Sequence, residues 1–248
     1  FIFDMRALWP EELIISGRIR RASFLHRIIL KIERACLAKS AAVVSLTNAA
    51  INHLKLSYPD EMERKNIFVI PTCADLKSFK PENIKKSNQT LHGCIGTILS
   101  SWFLVDCLAT WIKISASKDP NARFELITRD NAKVLRKIID PSNSLLGRLS
   151  IYQKSPSEMP SALKRHDLSV MFFTEGISKL GSAPTRMAEA LGCGIPLVVN
   201  KGVGDVAEIV RKFNIGVVVE GSSEEQIKKA FDSLLILKKD PNLNIRRR

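Results

Sequence analysis

Arg186 and Glu189 stand three positions apart within residues 182–205, SAPTRMAEALGCGIPLVVNKGVGD, a spacing that puts them on one helical face. A small-residue turn, Gly181-Ser182-Ala183-Pro184, runs into that helix, and Gly192 and Gly194 end it. The apolar strand 196–200 follows and feeds a second glycine turn, Gly202-Val203-Gly204-Asp205, which opens another helix. Each turn-to-helix junction offers free backbone N–H groups, and such groups bind phosphate with help from the helix dipole. The pattern is a phosphate site in outline, with a carboxylate on the neighbouring helical face.

Such a site needs a scaffold, and composition sets its limits. The 248 residues suffice for one large domain or two modest ones. Hydrophobic residues make up 45% and mean hydropathy is near zero, the balance of an ordinary globular protein. No apolar run approaches the ~20 residues of a membrane span. Thirty-eight Lys and Arg against 25 Asp and Glu give a formal charge of +13. That field attracts anions: nucleotide phosphates, an anionic membrane face or nucleic acid. Aromatics are only 6% and do not alternate with the basic residues as single-strand binders prefer, so nucleic acid is set aside. Five cysteines (36, 73, 94, 107 and 193) lie far apart, and the four histidines (26, 53, 92 and 166) lack ligand spacing. They read as buried reduced thiols of a cytosolic protein and as structural histidines, with no metal expected.

Residues 1–4 read as a strand end and 4–12 as a loop. A basic helix is predicted over 19–39, with Phe24, Leu25, Ile28, Ile29, Ile32, Cys36 and Leu37 as its apolar stripe. Arg18, Arg20, Arg21, Arg27, Lys31 and Arg34 lie mostly off that stripe. This is first a solvated basic face; the sharper alternative is a helix resting on anionic lipid headgroups. Strand 41–46, Thr47 as N-cap, helix 48–56 and strand 67–70 follow. From residue 91 strands are predicted at 91–98, 123–128, 149–152, 168–173, 197–200 and 215–219. Helices fit at 102–116, 132–138, 158–164, 185–191, 206–213 and 224–237. Continuous apolar strands separated by single helices mean a parallel sheet covered on both faces. The division is 1–78, a linker at 79–90, a doubly wound domain at 91–238 and a basic tail at 239–248. Ligands of such sheets sit beyond the C-terminal strand ends, which are the loops 97–102, 129–131, 153–158, 174–186 and 201–205.

Several segments together resemble one family. Ser182-x-Pro184-Thr185-Arg186-x-x-Glu189-Ala190-Leu191-Gly192-Cys193-Gly194-Ile195-Pro196 is similar to the donor-site signature of the group-1, family four retaining glycosyltransferases. Val69-Ile70-Pro71-Thr72-Cys73-Ala74-Asp75 with Phe79 resembles that family's strand leading into the interdomain crossing. Asp4-x-Arg6, Ile95-Gly96-Thr97 with Trp102, and Glu158-Met159-Pro160 are further matches. The resemblance implies the GT-B fold, an α/β architecture of two Rossmann-like domains. Here the donor domain would be preceded by the tail of the acceptor-side domain, with most of that domain and the closing C-terminal helix missing.

The activity so implied moves a sugar from a nucleotide-sugar donor to a saccharide or lipid-linked acceptor with retention. No metal and no cofactor are implied, the nucleotide-sugar being a substrate. The setting is cytoplasmic, with peripheral contact to an anionic membrane at its inner face. Arg186 and Glu189 carry the chemistry: Arg186 neutralises the leaving diphosphate, and Glu189 accepts hydrogen bonds from the ribose hydroxyls. Ser182, Pro184 and Thr185 stand beside them at the helix N-terminus, where the dipole favours negative charge. Gly181 occupies the place of a second glutamate that the family commonly uses to contact the donor sugar. Thr97 and Trp102 stand in the first loop, which lacks the family's Arg-x-x-x-x-Lys phosphate pair. Arg129 is placed near the phosphates, and Gln153 and Glu158 near the base. Two alternatives remain: a non-catalytic nucleotide-binding or interaction module, and a sugar-nucleotide epimerase of the same fold. A dinucleotide dehydrogenase is disfavoured, because only Gly93-x-x-Gly96 follows the first strand of the domain.

Overall fold

The computed structural model describes residues 1–82, 89–240 and 243. Along the chain run β1 Ile2–Met5, α1 Trp9–Ile15, α2 Phe24–Lys39, β2 Ala42–Ser45, α3 Asn48–Ser57, α4 Pro59–Met62 and β3 Asn66–Val69. They are followed by β4 Leu91–Ile95, α5 Val105–Lys118, β5 Arg123–Ile127, α6 Ala132–Ile139 and β6 Leu149–Tyr152. A 3-10 turn, Pro156–Glu158, then leads into α7 Met159–Arg165, β7 Leu168–Met171, α8 Ile177–Leu180 and α9 Thr185–Gly192. The run closes with β8 Leu197–Asn200, α10 Val206–Phe213, β9 Gly216–Val219 and α11 Glu224–Leu237. Every strand pairing in the two sheets is parallel. The chain divides into two compact units. The linker read at 79–90 includes residues 83–88, which lie outside the described residues, as does most of the tail at 239–248.

The first unit comprises Phe1–Thr72 together with Glu175–Pro184 and Gly202–Val206. Its sheet has the order β1-β2-β3. Leu37, Val43, Ala50, Ile51, Leu54 and Met62 form its core with Met5 and Leu8. Residues 4–12 are not all loop: α1 starts at Trp9, with a proline in its first turn and Glu11 and Glu12 beside it, where both favour a helix start. The basic helix starts at Phe24 rather than at residue 19, because Ser23 caps it by accepting from the His26 amide. Its buried face holds His26, Ile29 and Leu37, while Phe24, Leu25 and Ile32 of the predicted apolar stripe are exposed, Phe24 at 81%. Cys73 is exposed and Cys36 half-buried, so only three of the five thiols are buried; none of the five forms a disulfide.

Two segments that hydrophobic pattern assigns to the second domain pack within this first unit. The Leu180 carbonyl accepts from the Thr47 hydroxyl (2.5 Å), and the Ala183 carbonyl from the Thr72 hydroxyl (2.6 Å). Gly204 has φ +44°, and a Cβ there would come within 2.2 Å of the Ser182 carbonyl oxygen, so only glycine closes this turn. Asp205 does not leave the turn free for an anion. Its carboxylate accepts from the backbone N–H groups of Asn48 (2.7 Å) and Ala49 (2.8 Å) and from the Asn48 amide (2.9 Å), and so supplies the anion at the start of α3 itself.

The second unit comprises Cys73–Thr174, Thr185–Lys201 and the chain from Ala207 onward. Its sheet has the order β6-β5-β4-β7-β8-β9, a doubly wound arrangement whose crossings reverse between β4 and β7. Trp111, Phe124, Leu126, Phe172, Val198 and Phe231 pack in its main core with α5 and α11. Tilted and edge-on ring contacts link Trp111 to His92, Phe172 and Phe231. Strand β4 stops at Ile95, and α5 starts at Val105, so Trp102 lies in the intervening turn rather than in a helix.

Replacing Asp205 with alanine leaves two amides at the start of α3 without an acceptor. The expected loss is about 1–2 kcal/mol of stability, the range of a removed N-terminal cap. A lowered urea midpoint with unchanged m-value checks this, and an unchanged midpoint refutes it.

Candidate functional site

Beyond the C-terminal ends of β4, β5 and β6 the second unit opens a cavity of about 520 Å³. That lies within the ~300–1,000 Å³ typical of small-molecule sites. Phe79, Ile95, Ile127 and Met159 give it an apolar side. Its polar side is Thr97, Thr128, Arg129, Lys154, Arg186 and Glu189. Among these described lining residues there is one carboxylate against three cations, and no histidine.

Helix α9 positions the central pair. Met187, Glu189 and Ala190 form its buried face, so Glu189 is only 9% exposed while Arg186 is half-buried. Arg186 Nη1 donates to Glu189 Oε2 at 2.5 Å, the i,i+3 contact expected from their spacing. No donor among the described residues reaches Oε1 of Glu189.

The loop after β4 is fixed from beneath by Asp130. Its carboxylate accepts from Ile98 N (2.5 Å), Leu99 N (2.9 Å) and the Thr128 hydroxyl (2.8 Å). Burial would raise this carboxyl, but the donors from Leu99, Ile98 and Thr128 outweigh it and hold it below the usual range. These amides are therefore occupied, and Thr97, exposed at the rim, is what the loop presents to the cavity. Arg129 is exposed beside Asp130 and has no partner among the described residues.

The loop after β6 brings Lys154, a residue the sequence reading passed over. Lys154 donates to Glu158 Oε1 at 3.0 Å and lies over the Tyr152 ring, 5.8 Å from its centre. Glu158 also accepts from Ser155 N (2.9 Å) and from the Ser155 hydroxyl (2.7 Å), closing a capping box. The Ser155 hydroxyl and amide, then Lys154, hold the Glu158 carboxyl at about 2.

The predicted site residues thus divide. Thr97, Arg129, Arg186 and Glu189 meet in the cavity. Thr185 is exposed at the start of α9. Gln153 is exposed in the β6 loop, and Glu158 is engaged as a helix cap; neither lines the cavity. Trp102 is outside the lining too, its carbonyl accepting from Thr174 N at 3.0 Å. Gly181, Ser182 and Pro184 belong to the first unit. A Cβ at Gly181 would sit 3.2 Å from Leu8 N and 3.3 Å from Ala7 Cα, a tight contact with backbone that a side chain there would have to relax. Lys154, Thr128 and Phe79 were missed. Their signal was position alone, each at or beyond a strand end or crossing.

A buried network braces the strands behind the cavity. Glu125 Oε1 accepts from Tyr152 (2.5 Å) and Arg165 (2.8 Å), while its Oε2 bonds His166 Nε2 (2.7 Å). Burial alone would raise the Glu125 carboxyl; the His166 and Tyr152 hydrogen bonds and nearby Arg165 outweigh it and hold it at about 2. His92 accepts from Trp111 Nε1 at 3.1 Å, and burial pushes it down to about 3. Among the described residues no three His, Cys, Asp or Glu side chains gather as a metal-binding set. No helix there is long and apolar enough to cross a membrane.

Comparison with known proteins follows this geometry. A family model described as "Glycosyl transferases group 1" matches residues 115–247, more than half of the chain. No curated protein sequence matches it. Among solved structures it is similar to WaaG, a glycosyltransferase involved in lipopolysaccharide biosynthesis, with a TM-score of 0.70 and 16% identity over 99% of this chain and 68% of that one. A glycosyltransferase from Rickettsia africae ESF-5 gives 0.68 and 13% over 100% and 63%. Anabaena Alr3699/HepE, solved with UDP and glucose, gives 0.64 and 15% over 99% and 64%. At such identities the likeness is one of fold, GT-B, and the chain spans about two thirds of the length of each of these proteins.

The Glu125 and His92 groups make stability depend on acid in two overlapping windows with different starting points. Unfolded, His92 takes up a proton near 6.5 and Glu125 near 4.5; folded, they do so at about 3 and about 2. In both windows the unfolded state binds more protons, so stability falls as pH is lowered. Thermal melts against pH should show Glu125→Gln flattening the fall between about 4.5 and 2 while leaving that from 6.5 in place. A parallel curve for the variant would refute the assignment.

Proposed function

We propose, because this chain belongs to the group 1 glycosyl transferases, that its second unit holds the nucleotide-sugar donor in a retaining transfer to a saccharide or lipid-linked acceptor. The observation that carries this reading is the convergence of Arg129, Lys154 and Arg186 with the single carboxylate Glu189 in one cavity. As the glycosidic bond breaks, negative charge grows on the departing diphosphate, and three cations in a sheltered cavity stabilise that charge more than the ground state. Arg129, free of protein partners among the described residues, takes the phosphates first, and Arg186 joins it from the first turn of α9. Glu189 accepts from a ribose hydroxyl through Oε1 while Oε2 keeps Arg186 in place. The exposed β6 loop with Gln153 borders the base. The acceptor oxygen attacks the anomeric carbon on the face the diphosphate leaves, and its proton passes to a departing phosphate oxygen, so no enzymic nucleophile is required. Neither metal nor cofactor enters this scheme, and the nucleotide-sugar is consumed as substrate.

The proposed setting is the cytoplasm, at the inner face of a membrane. Support comes from α2, which carries exposed Phe24, Leu25 and Ile32 together with exposed Arg27 and Lys31, a pairing suited to anionic headgroups. A second reading, nucleotide binding without turnover, draws on Gly181, which stands where the family's usual sugar-contacting carboxylate would be. An epimerase is not supported by a cavity whose described lining residues include one carboxylate and no histidine.

Titration with UDP, GDP, ADP and CMP is expected to show one preferred nucleotide. Glu189→Ala and Arg129→Ala should each weaken it about tenfold or more, the effect of losing a charged hydrogen-bond partner. Absence of binding by all four would sink the donor site. Product analysis with a nucleotide-sugar carrying the preferred base and a lipid-linked saccharide separates transfer from binding alone.

A further inference from the structure

The first unit contains a second cavity, of about 490 Å³, that the donor site does not use. It lies among α1, α2, the C-terminal half of α3 and the start of α8. We propose that this cavity binds a saccharide through its hydroxyl groups, His26 donating to one hydroxyl and Glu33 accepting from another.

His26 is 6% exposed and lines the cavity. Its Nδ1 accepts from Ala22 N at 3.2 Å, so the ring proton is on Nε2. That Nε2–H is buried and has no acceptor among the described residues. A buried donor without a partner is costly, and a ligand oxygen recovers that cost. Glu33 presents the opposite polarity. Its Oε2 accepts from the Tyr58 hydroxyl at 2.7 Å, and no described donor reaches Oε1. Burial pushes this carboxyl up against the Tyr58 hydrogen bond, so a further donor is favourable there.

A hydroxyl group both donates and accepts, and a sugar ring carries several at fixed spacing. Leu8, Leu30 and Ile177 add apolar surface for the C–H face of such a ring. A phosphate fits this cavity less well. Two of its three Lys and Arg side chains are already committed: Arg21 to Glu11 (2.6 Å) and Arg34 to Glu61 (2.7 Å). A phosphate would also face the Glu33 carboxylate. The proposal shares with the transfer reading only its substrate class, a saccharide; the cavity stands on its own residues.

The test uses the 248-residue chain labelled with 15N-histidine. It is titrated in separate arms with the methyl glycosides of glucose, galactose, mannose and N-acetylglucosamine, with inorganic phosphate, and with UDP. At least one glycoside is expected to shift the His26 Nε2 resonance saturably. Glu33→Gln keeps an acceptor for Tyr58 but removes the charge, and should weaken that glycoside about tenfold. Because His26 also holds the Ala22 amide, Glu33→Gln is the deciding variant, and its melting temperature is measured alongside. Silence of the His26 resonance with every glycoside, a response to phosphate alone, or an undiminished response in Glu33→Gln overturns the proposal. Nucleotide binding without any glycoside response would leave the donor site standing alone; the reverse would leave this cavity standing alone.

Discussion

A parallel sheet leaves backbone N–H groups unpaired wherever its strands give way to loops and helices, and this protein closes several of them with carboxylates, most from distant segments. Asp130 takes the amides of Ile98 and Leu99. Asp205 takes those of Asn48 and Ala49 across 157 and 156 positions of chain. Asp167 takes Leu91 N at the start of β4, and Asp140 takes Ser144 N and Leu145 N after α6. Buried backbone donors must be paired, so these few acids hold the loops in shape.

That use of the acids sets the character of the cavity proposed to hold the donor. With 25 acidic residues against 38 basic ones, carboxylates spent on loop amides leave cations to face the cavity nearly alone. The amides after β4 and at the start of α3 are occupied, so turns of this kind, which in isolation suit a phosphate, are closed to one. In the proposed donor site a ligand's negative charge falls instead to side chains: Arg129, Lys154 and Arg186. The same logic separates the two glutamates nearest the cavity. Glu158 serves the backbone and Lys154, whereas Glu189 keeps one oxygen open.

Much of this was legible in the sequence where periodicity was strong. The second unit's strands and helices follow from apolar runs alternating with amphipathic ones, and Arg186 with Glu189 follows from an i,i+3 spacing. Strand ends were read too long, since Ile98, Phe172 and Phe173 continue the apolar run after the strand has left the sheet. Helix α1 was hidden by Pro10, which breaks a helix interior yet suits a first turn. The packing of 175–184 with the first unit rests on hydrogen bonds from Thr47 and Thr72, and that of 202–206 on those from Asn48 and Ala49 to Asp205, all over 111 or more positions of chain, which no local pattern encodes. Lys154 was overlooked because a lysine in a polar loop carries no periodic signal.

The chain has two tyrosines, Tyr58 and Tyr152. Each donates its hydroxyl to a glutamate, half-buried Glu33 in one unit and buried Glu125 in the other. Tyr58 lines the second cavity, and Tyr152 packs with the apolar wall of the first. A fluorine placed on every tyrosine ring would therefore yield two resonances, one for each cavity, with no engineered label. Occupancy of the two could be followed at once in a single spectrum, and any coupling between them would be read directly from the unmodified backbone.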